Sequence, residues 1–207
     1  MRMSFFGKLF RKKPISLLDL GFADAKRLTA LSARHPKKRF AGIETAKRND
    51  LAKRPNLKLH WGDAVGKLKR MRSGSVKIVT ADFLFSELKT RGPSAGDLGE
   101  MLDKAGIRLT EGMLGDYYKK RTAIVEQVRR VLVPKGRFVV IEYSANAGII
   151  KRVLENSGFN CRTFPVPEAE MEKTEILTLV KDLLITNPEQ AESILPMKIV
   201  ARKRVVQ

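Results

Sequence analysis

From residue 16 onward, short apolar runs alternate with stretches that repeat at helical period, and this alternation constrains the fold more than any other feature of the chain. The runs are residues 16–20, 39–43, 57–60, 76–80, 136–142, 160–164 and 197–203. Most are continuous and aliphatic or β-branched, the pattern of strands covered on both faces. Helical periodicity occupies residues 25–35, 46–53, 64–71, 117–132 and 149–157. Strand and helix in turn predict an α/β fold: a Rossmann-like, doubly wound, mostly parallel seven-stranded sheet with helices on both faces.

The helix at 117–132 shows the amphipathic logic. Ile124, Val128, Val131 and Leu132 form a stripe, and Lys119, Lys120, Arg121, Arg129 and Arg130 are expected off it. Pro134, Lys135 and Gly136 then stop the helix and turn the chain into a strand. Two segments break the alternation. Residues 86–116 hold six glycines and a proline among short helical patches, and residues 168–193 begin acidic and turn helical. Both read as insertions, and connections of this length usually carry function or motion. The division expected is a basic, aromatic segment over 1–15 and one domain over 16–207.

Charge bears on the partner. Lys and Arg number 41 against 22 Asp and Glu, a formal charge of +19. Such an excess favours a polyanion, because neutralising phosphates releases condensed counterions. Nucleic acid, RNA above all, is the expected partner, and peripheral contact with an anionic membrane is the weaker option. The opening MRMSFFGKLFRKK interleaves phenylalanine with Lys and Arg. It lacks the long apolar core and cleavage site of a secretory signal. It reads as an amphipathic or nucleic-acid-touching arm, or as a segment packed on the domain. No apolar run approaches the ~18 residues of a spanning helix. Cys161 is the only cysteine, so neither a disulfide framework nor a cysteine zinc site is expected, and a reducing, cytoplasmic compartment fits. His35 and His60 have no partners at ligand spacing, so no metal is expected.

In a doubly wound sheet ligands sit beyond the carboxyl ends of the strands, which directs attention to the residues just after each run. These are Asp19 to Ala25, Glu44, Gly62 to Ala64, Asp82 and Glu142. Glu44 lies 23 residues beyond Gly21, near the spacing of about 20 at which an acid accepts from ribose hydroxyls. Alternatively it favours the start of the helix that follows. Lys26 stands where a dinucleotide fingerprint needs glycine, which disfavours NAD.

The pattern Asp19-x-Gly21-x-Ala23-x-Ala25 resembles motif I of the class I S-adenosylmethionine-dependent methyltransferases, D/E-x-G-x-G-x-G. Glu44 and Gly62-Asp63 follow it in order. More narrowly, the stretch from LDLGFADAKRL to FAGIE, and WGDAVGKLKRMRSGSVKIVTADF after it, are similar to the tRNA (guanine-N7) methyltransferases. Their P-D-P-W is here Ala81-Asp82-Phe83-Leu84. The resemblance implies S-adenosylmethionine as cofactor. Asp19, Gly21, Phe22 and Ala23 would line its methionine end, Glu44 its ribose, and Asp63 with Ala64 its adenine. Asp82 would face the acceptor base as the catalytic residue. Phe83 or Phe85 would stack on that base, and Lys119, Lys120 and Arg121 would bind the nucleic acid.

The function expected is methyl transfer to a nucleic acid, most simply a tRNA or rRNA base. The methyl group is already activated by its sulfonium, so the protein's work is orientation and desolvation. Two other readings stay open. One is a catalytically inactive, methyltransferase-like module that binds or assembles RNA, suggested by alanine at 23 and 25. The other is methylation of a protein or small molecule, which leaves the charge unexplained. Alanine at 23 and 25 is expected to keep negative φ and to narrow the turn slightly.

Overall fold

A computed structural model describes residues 13–22, 25–45, 53–82, 84, 111–167 and 195–204, the side chains of 111–118 and 145 excepted. Seven strands form one sheet: β1 (Ile15–Leu20), β2 (Phe40–Glu44), β3 (Leu57–Trp61), β4 (Val76–Asp82), β5 (Leu132–Tyr143), β6 (Phe159–Pro165) and β7 (Pro196–Lys203). Their order is β3-β2-β1-β4-β5-β7-β6. Pairing is parallel from β3 through β5, whereas β7 runs antiparallel to both β5 and β6. The sheet is therefore mixed, with β7 the reversed strand.

Helix α1 (Lys26–Arg34) follows β1, α2 (Ala64–Lys69) follows β3, α3 (Glu111–Val131) precedes β5 and α4 (Ser144–Asn156) follows it. Side chains alternate across a strand, so each strand feeds two cores. Leu18 and Leu20 of β1, with Ala41 and Ile43 of β2, join Leu68 of α2, Ile124 and Val128 of α3 and Ile150 of α4 in the main core. On the other face Phe40 and Leu57 join Phe22, Ala25 and Leu28 under α1. The expected stripe of α3 is in place, since Ile124, Val128, Val131 and Leu132 are all buried.

Several boundaries differ from expectation. Helix α3 begins at Glu111, six residues inside the segment taken from the sequence as an insertion, and ends at Val131, ahead of Pro134. Strand β5 begins at Leu132 and absorbs the Pro134 to Gly136 turn at a register shift, with Lys135 at φ 62°. Helix α4 starts at Ser144, five residues earlier than its apolar periodicity suggests. Residues 1–12, the core of the expected insertion at 86–110 and all of 168–193 lie outside the described residues. Among the described residues, no helix is long and apolar enough to cross a membrane.

Candidate functional site

Strand order reverses between β1 and β4, the place where an open α/β sheet holds its ligand. Parallel register sets Asp19 of β1 beside Thr80 of β4. Asp82, two residues further along β4, points to the same face. Helix α1 packs on that face through Leu28, and the preceding residue, Arg27, reaches over the strand ends. Its Nη2 donates to Asp19 Oδ1 at 2.7 Å and to Thr80 Oγ1 at 3.2 Å, and its Nη1 donates to Asp82 Oδ2 at 2.5 Å. The Thr80 hydroxyl donates to the same Asp19 oxygen at 2.6 Å.

The cluster carries two carboxylates and one guanidinium. Asp19 is buried, while Arg27 is 44% exposed and Asp82 31% exposed at the side chain, so the notch opens on the Arg27 side. Burial pushes the Asp82 carboxyl above its ordinary value; Arg27 opposes that shift and Asp19 adds to it. Burial works against the charge of Arg27, but attraction from Asp19 and Asp82 outweighs it and the guanidinium is held more firmly protonated than usual.

The turn from β1 into α1 explains how Arg27 gets there. Gly21 takes φ +69°, a conformation costly for any side chain, and a Cβ there would sit 3.4 Å from Leu84 Cδ1. Ala25, the N-cap of α1, has φ 56° and no side-chain cap. The expectation of negative φ is thus corrected at Ala25: the turn keeps its left-handed residue and places alanine in it, at a cost of about 1–2 kcal/mol. Ala23 lies outside the described residues. Phe22 is also corrected as a cofactor contact. It is buried, packs edge-on against Trp61 at 5.4 Å between centroids, and lies directly over Gly42, so its ring belongs to the core under α1.

Glu44 ends β2, half-buried, and its Oε1 accepts from the Thr45 amide at 2.7 Å and the Thr45 hydroxyl at 3.0 Å. Its carbonyl receives the Gly62 N–H at 2.8 Å, which ties the end of β3 to the end of β2. Asp63 caps α2, its Oδ2 accepting from the Gly66 amide at 2.7 Å, and Ala64 opens the helix against the core. Across the order β3-β2-β1-β4 the strand ends thus present Asp63, Glu44, Asp19 and Asp82 in sequence along one edge.

Other expected residues are placed differently. Lys119 is exposed and Lys120 half-buried, but Arg121 is 1% exposed, among the largest fully buried side chains. It stands three residues before Ile124 and seven before Val128, on the helix's apolar stripe, and cannot reach a phosphate outside. Phe83 and Phe85 lie outside the described residues. Glu142, at the end of β5, is fully buried. Burial pushes the Cys161 thiol up to about 11. Among the described residues, no three His, Cys, Asp or Glu gather as a metal site would require.

Sequence reasoning missed Arg27 and Thr80. For Arg27 a signal existed: a cation in the first turn of a helix opposes the macrodipole, so something else must hold it. Thr80 was legible only through register with Asp19.

No protein-family model matches the chain, and no curated protein sequence matches it. Solved structures do. The phosphoethanolamine N-methyltransferase 2 of Haemonchus contortus, in complex with S-adenosyl-L-methionine, superposes with a TM-score of 0.55 at 12% identity, over 94% of this chain and 50% of that one. A SAM-dependent methyltransferase from Archaeoglobus fulgidus gives 0.58 at 10% identity, over 92% and 86%. A geranyl diphosphate methyltransferase in complex with GPP and sinefungin gives 0.57 at 10% identity, over 95% and 74%. The chain spans half the length of the Haemonchus enzyme. These likenesses establish the fold, that of the S-adenosylmethionine-dependent methyltransferases.

Proposed function

We propose that the chain is an S-adenosylmethionine-dependent methyltransferase whose acceptor is carried on RNA, a tRNA or rRNA base. The observation that carries this reading is the row of carboxylates at the reversal of strand order, with Asp19 and Asp82 bridged by Arg27. The residues fit the cofactor: Gly21 takes the left-handed turn that ends β1, and Glu44 stands as a carboxylate at the end of β2, where a ribose diol would be held. The cofactor would supply a methyl group already activated for transfer.

The chain's own part is positioning. Arg27 and Thr80 fix the Asp19 carboxylate, which would hold the cationic methionine end. Asp82, partly exposed and with a raised pKa, would orient the acceptor and take its proton. The net charge of +19 and the exposed Lys119 favour an anionic, polymeric acceptor, as does the resemblance to the tRNA (guanine-N7) methyltransferases. The similar structures include enzymes crystallised with or named for phosphoethanolamine and geranyl diphosphate, which speak instead for small acceptors.

A second reading, a methyltransferase fold that binds RNA without catalysis, draws on two observations. Ala25 sits in a left-handed conformation without glycine, and Arg27 already saturates the carboxylates with a cation of the chain's own. Thermal shift with S-adenosylhomocysteine separates the two. The enzyme reading expects a shift that Glu44→Ala removes, and transfer of labelled methyl from S-adenosylmethionine into total RNA. RNA retardation without any cofactor shift would overturn it, and label appearing only in small molecules would overturn the RNA acceptor.

A further inference from the structure

A second cleft lies at the opposite edge of the sheet, at the amino ends of the parallel strands. Its volume is about 690 Å³, and its walls are the last turn of α3, the end of α4 and the junction of β6 with β7. The length of β4 separates it from the Asp19–Asp82 notch, roughly 20 Å at about 3.3 Å per residue. It is therefore independent of methyl transfer.

Three cations line it: Arg129, Arg130 and Lys203. Arg130 is committed to the fold. Its Nε donates to Gln127 Oε1, its Nη1 to the Met71 carbonyl and its Nη2 to the Leu68 carbonyl, so it ties α3 to α2. Arg129 is different. Its guanidinium lies flat on Gly158, where a Cβ would come within 3.0–3.1 Å of Nε, Cζ and Nη2, and its Nε is buried with no acceptor. Gly158 has φ +83° and can give that room. Lys203 gives one proton to the Leu132 carbonyl at 3.1 Å. Its pKa is lowered, by burial and by the neighbouring charge of Arg129. Glu126, the carboxylate on the wall, is exposed and makes no salt bridge with either among the described residues.

Two repelling cations, one of them with a buried Nε that has no acceptor, describe a place prepared for an anion. Ser157 adds a hydroxyl on the same wall. An oxyanion with several acceptor oxygens would take Arg129 Nε and the remaining Lys203 protons together. We propose that this cleft is a phosphate-binding site in which Arg129 and Lys203 are the ligands. The phosphate belongs either to a nucleic-acid backbone, which the charge of +19 favours, or to a small phosphorylated molecule.

The test compares the full chain with the double variant Arg129→Gln, Lys203→Gln and with Lys37→Gln, Lys38→Gln, which removes equal charge just before β2, several strands away across the sheet. Anisotropy of a fluorescein-labelled single-stranded RNA reads the polymer, and thermal shift with inorganic pyrophosphate reads the small anion. A backbone site predicts RNA binding weakened about tenfold or more in the first variant and much less in the second. A small-molecule site predicts RNA binding equal in the two variants and a pyrophosphate shift lost only in the first. Equal behaviour of the two variants in both assays would overturn the proposal. Melting temperatures measured without anion confirm that each variant is folded.

Discussion

Arg27 and Asp82 stand 55 residues apart in sequence and 2.5 Å apart in space, joined across the ends of β1 and β4. The same guanidinium holds buried Asp19, so a single positive charge is shared between the two carboxylates that face each other across β1 and β4. Arg27→Ala leaves Asp19 with the Thr80 hydroxyl as its side-chain donor and sets two carboxylates facing each other. The expected cost is about 1–3 kcal/mol at neutral pH, the usual range for a buried acceptor losing a charged donor. Without the cation the Asp82 pKa rises further, so the loss relative to wild type should shrink as pH falls through the carboxylate range. Thermal unfolding of both proteins against pH checks this, and a pH-independent difference would contradict it.

Asp82 itself behaves in the opposite sense. Its folded pKa is raised above 3.8, chiefly by burial, so the native state favours the protonated form relative to the unfolded chain. Its contribution to stability is present in acid and is lost as pH rises through the folded pKa. Asp82→Asn should therefore melt close to wild type in acid and above it at neutral pH. If the acceptor is oriented by this carboxylate, the same variant loses methyl transfer while gaining stability. A variant less stable than wild type at neutral pH would show that the Arg27 pair outweighs burial.

The sheet is legible in the sequence because central strands covered on both faces need largely apolar runs, as in β1 and β2, while the edge strand β3 alternates Leu57 and Leu59 with Lys58 and His60. The carboxylates Asp19, Glu44, Asp63 and Asp82 were legible for the same reason, as polar residues ending apolar runs. What joins them was not. Arg27 is one of 41 basic residues, and only the tertiary crossing of α1 over β1 and β4 sets it apart. Arg121 is the converse case: its charge suggests exposure, whereas its position seven residues before Val128 puts it on the buried stripe. The place of Phe22 in the turn suggests a ligand contact, yet glycine at 42 opens a space in the core that its ring fills.

That space gives a direct test of packing. A Cβ at position 42 would stand 2.4 Å from Phe22 Cδ1 and 2.8 Å from Leu28 Cδ1. Both side chains are buried, so neither can swing into solvent, and Gly42→Ala should destabilise by about 1–3 kcal/mol through overpacking. Gly148 is the contrasting case. It lies exposed inside α4 with nothing within 4 Å of its Cβ position, so Gly148→Ala should stabilise by about 0.5–1 kcal/mol by restricting the unfolded chain. Urea denaturation of the two variants should move the midpoint in opposite directions.

Cys161 offers a probe of the far edge. It sits in β6, half-buried and packed against the main core. Burial raises its pKa from 9.0 to about 11, with Glu155 adding and Lys151 and Arg204 opposing. Alkylation proceeds through the thiolate, and a shift of this size lowers the thiolate fraction near neutral pH by roughly a hundredfold. Native protein should therefore react with iodoacetamide about two orders of magnitude more slowly than the urea-unfolded chain, with a rate still climbing above pH 9. Glu155→Gln removes the carboxylate that holds the thiol protonated and should speed native alkylation. Burial is the larger cause, so that acceleration stays well short of the unfolded rate. A native rate equal to the unfolded one would mean that β6 opens readily from β7 and that the thiol is not held inside the sheet.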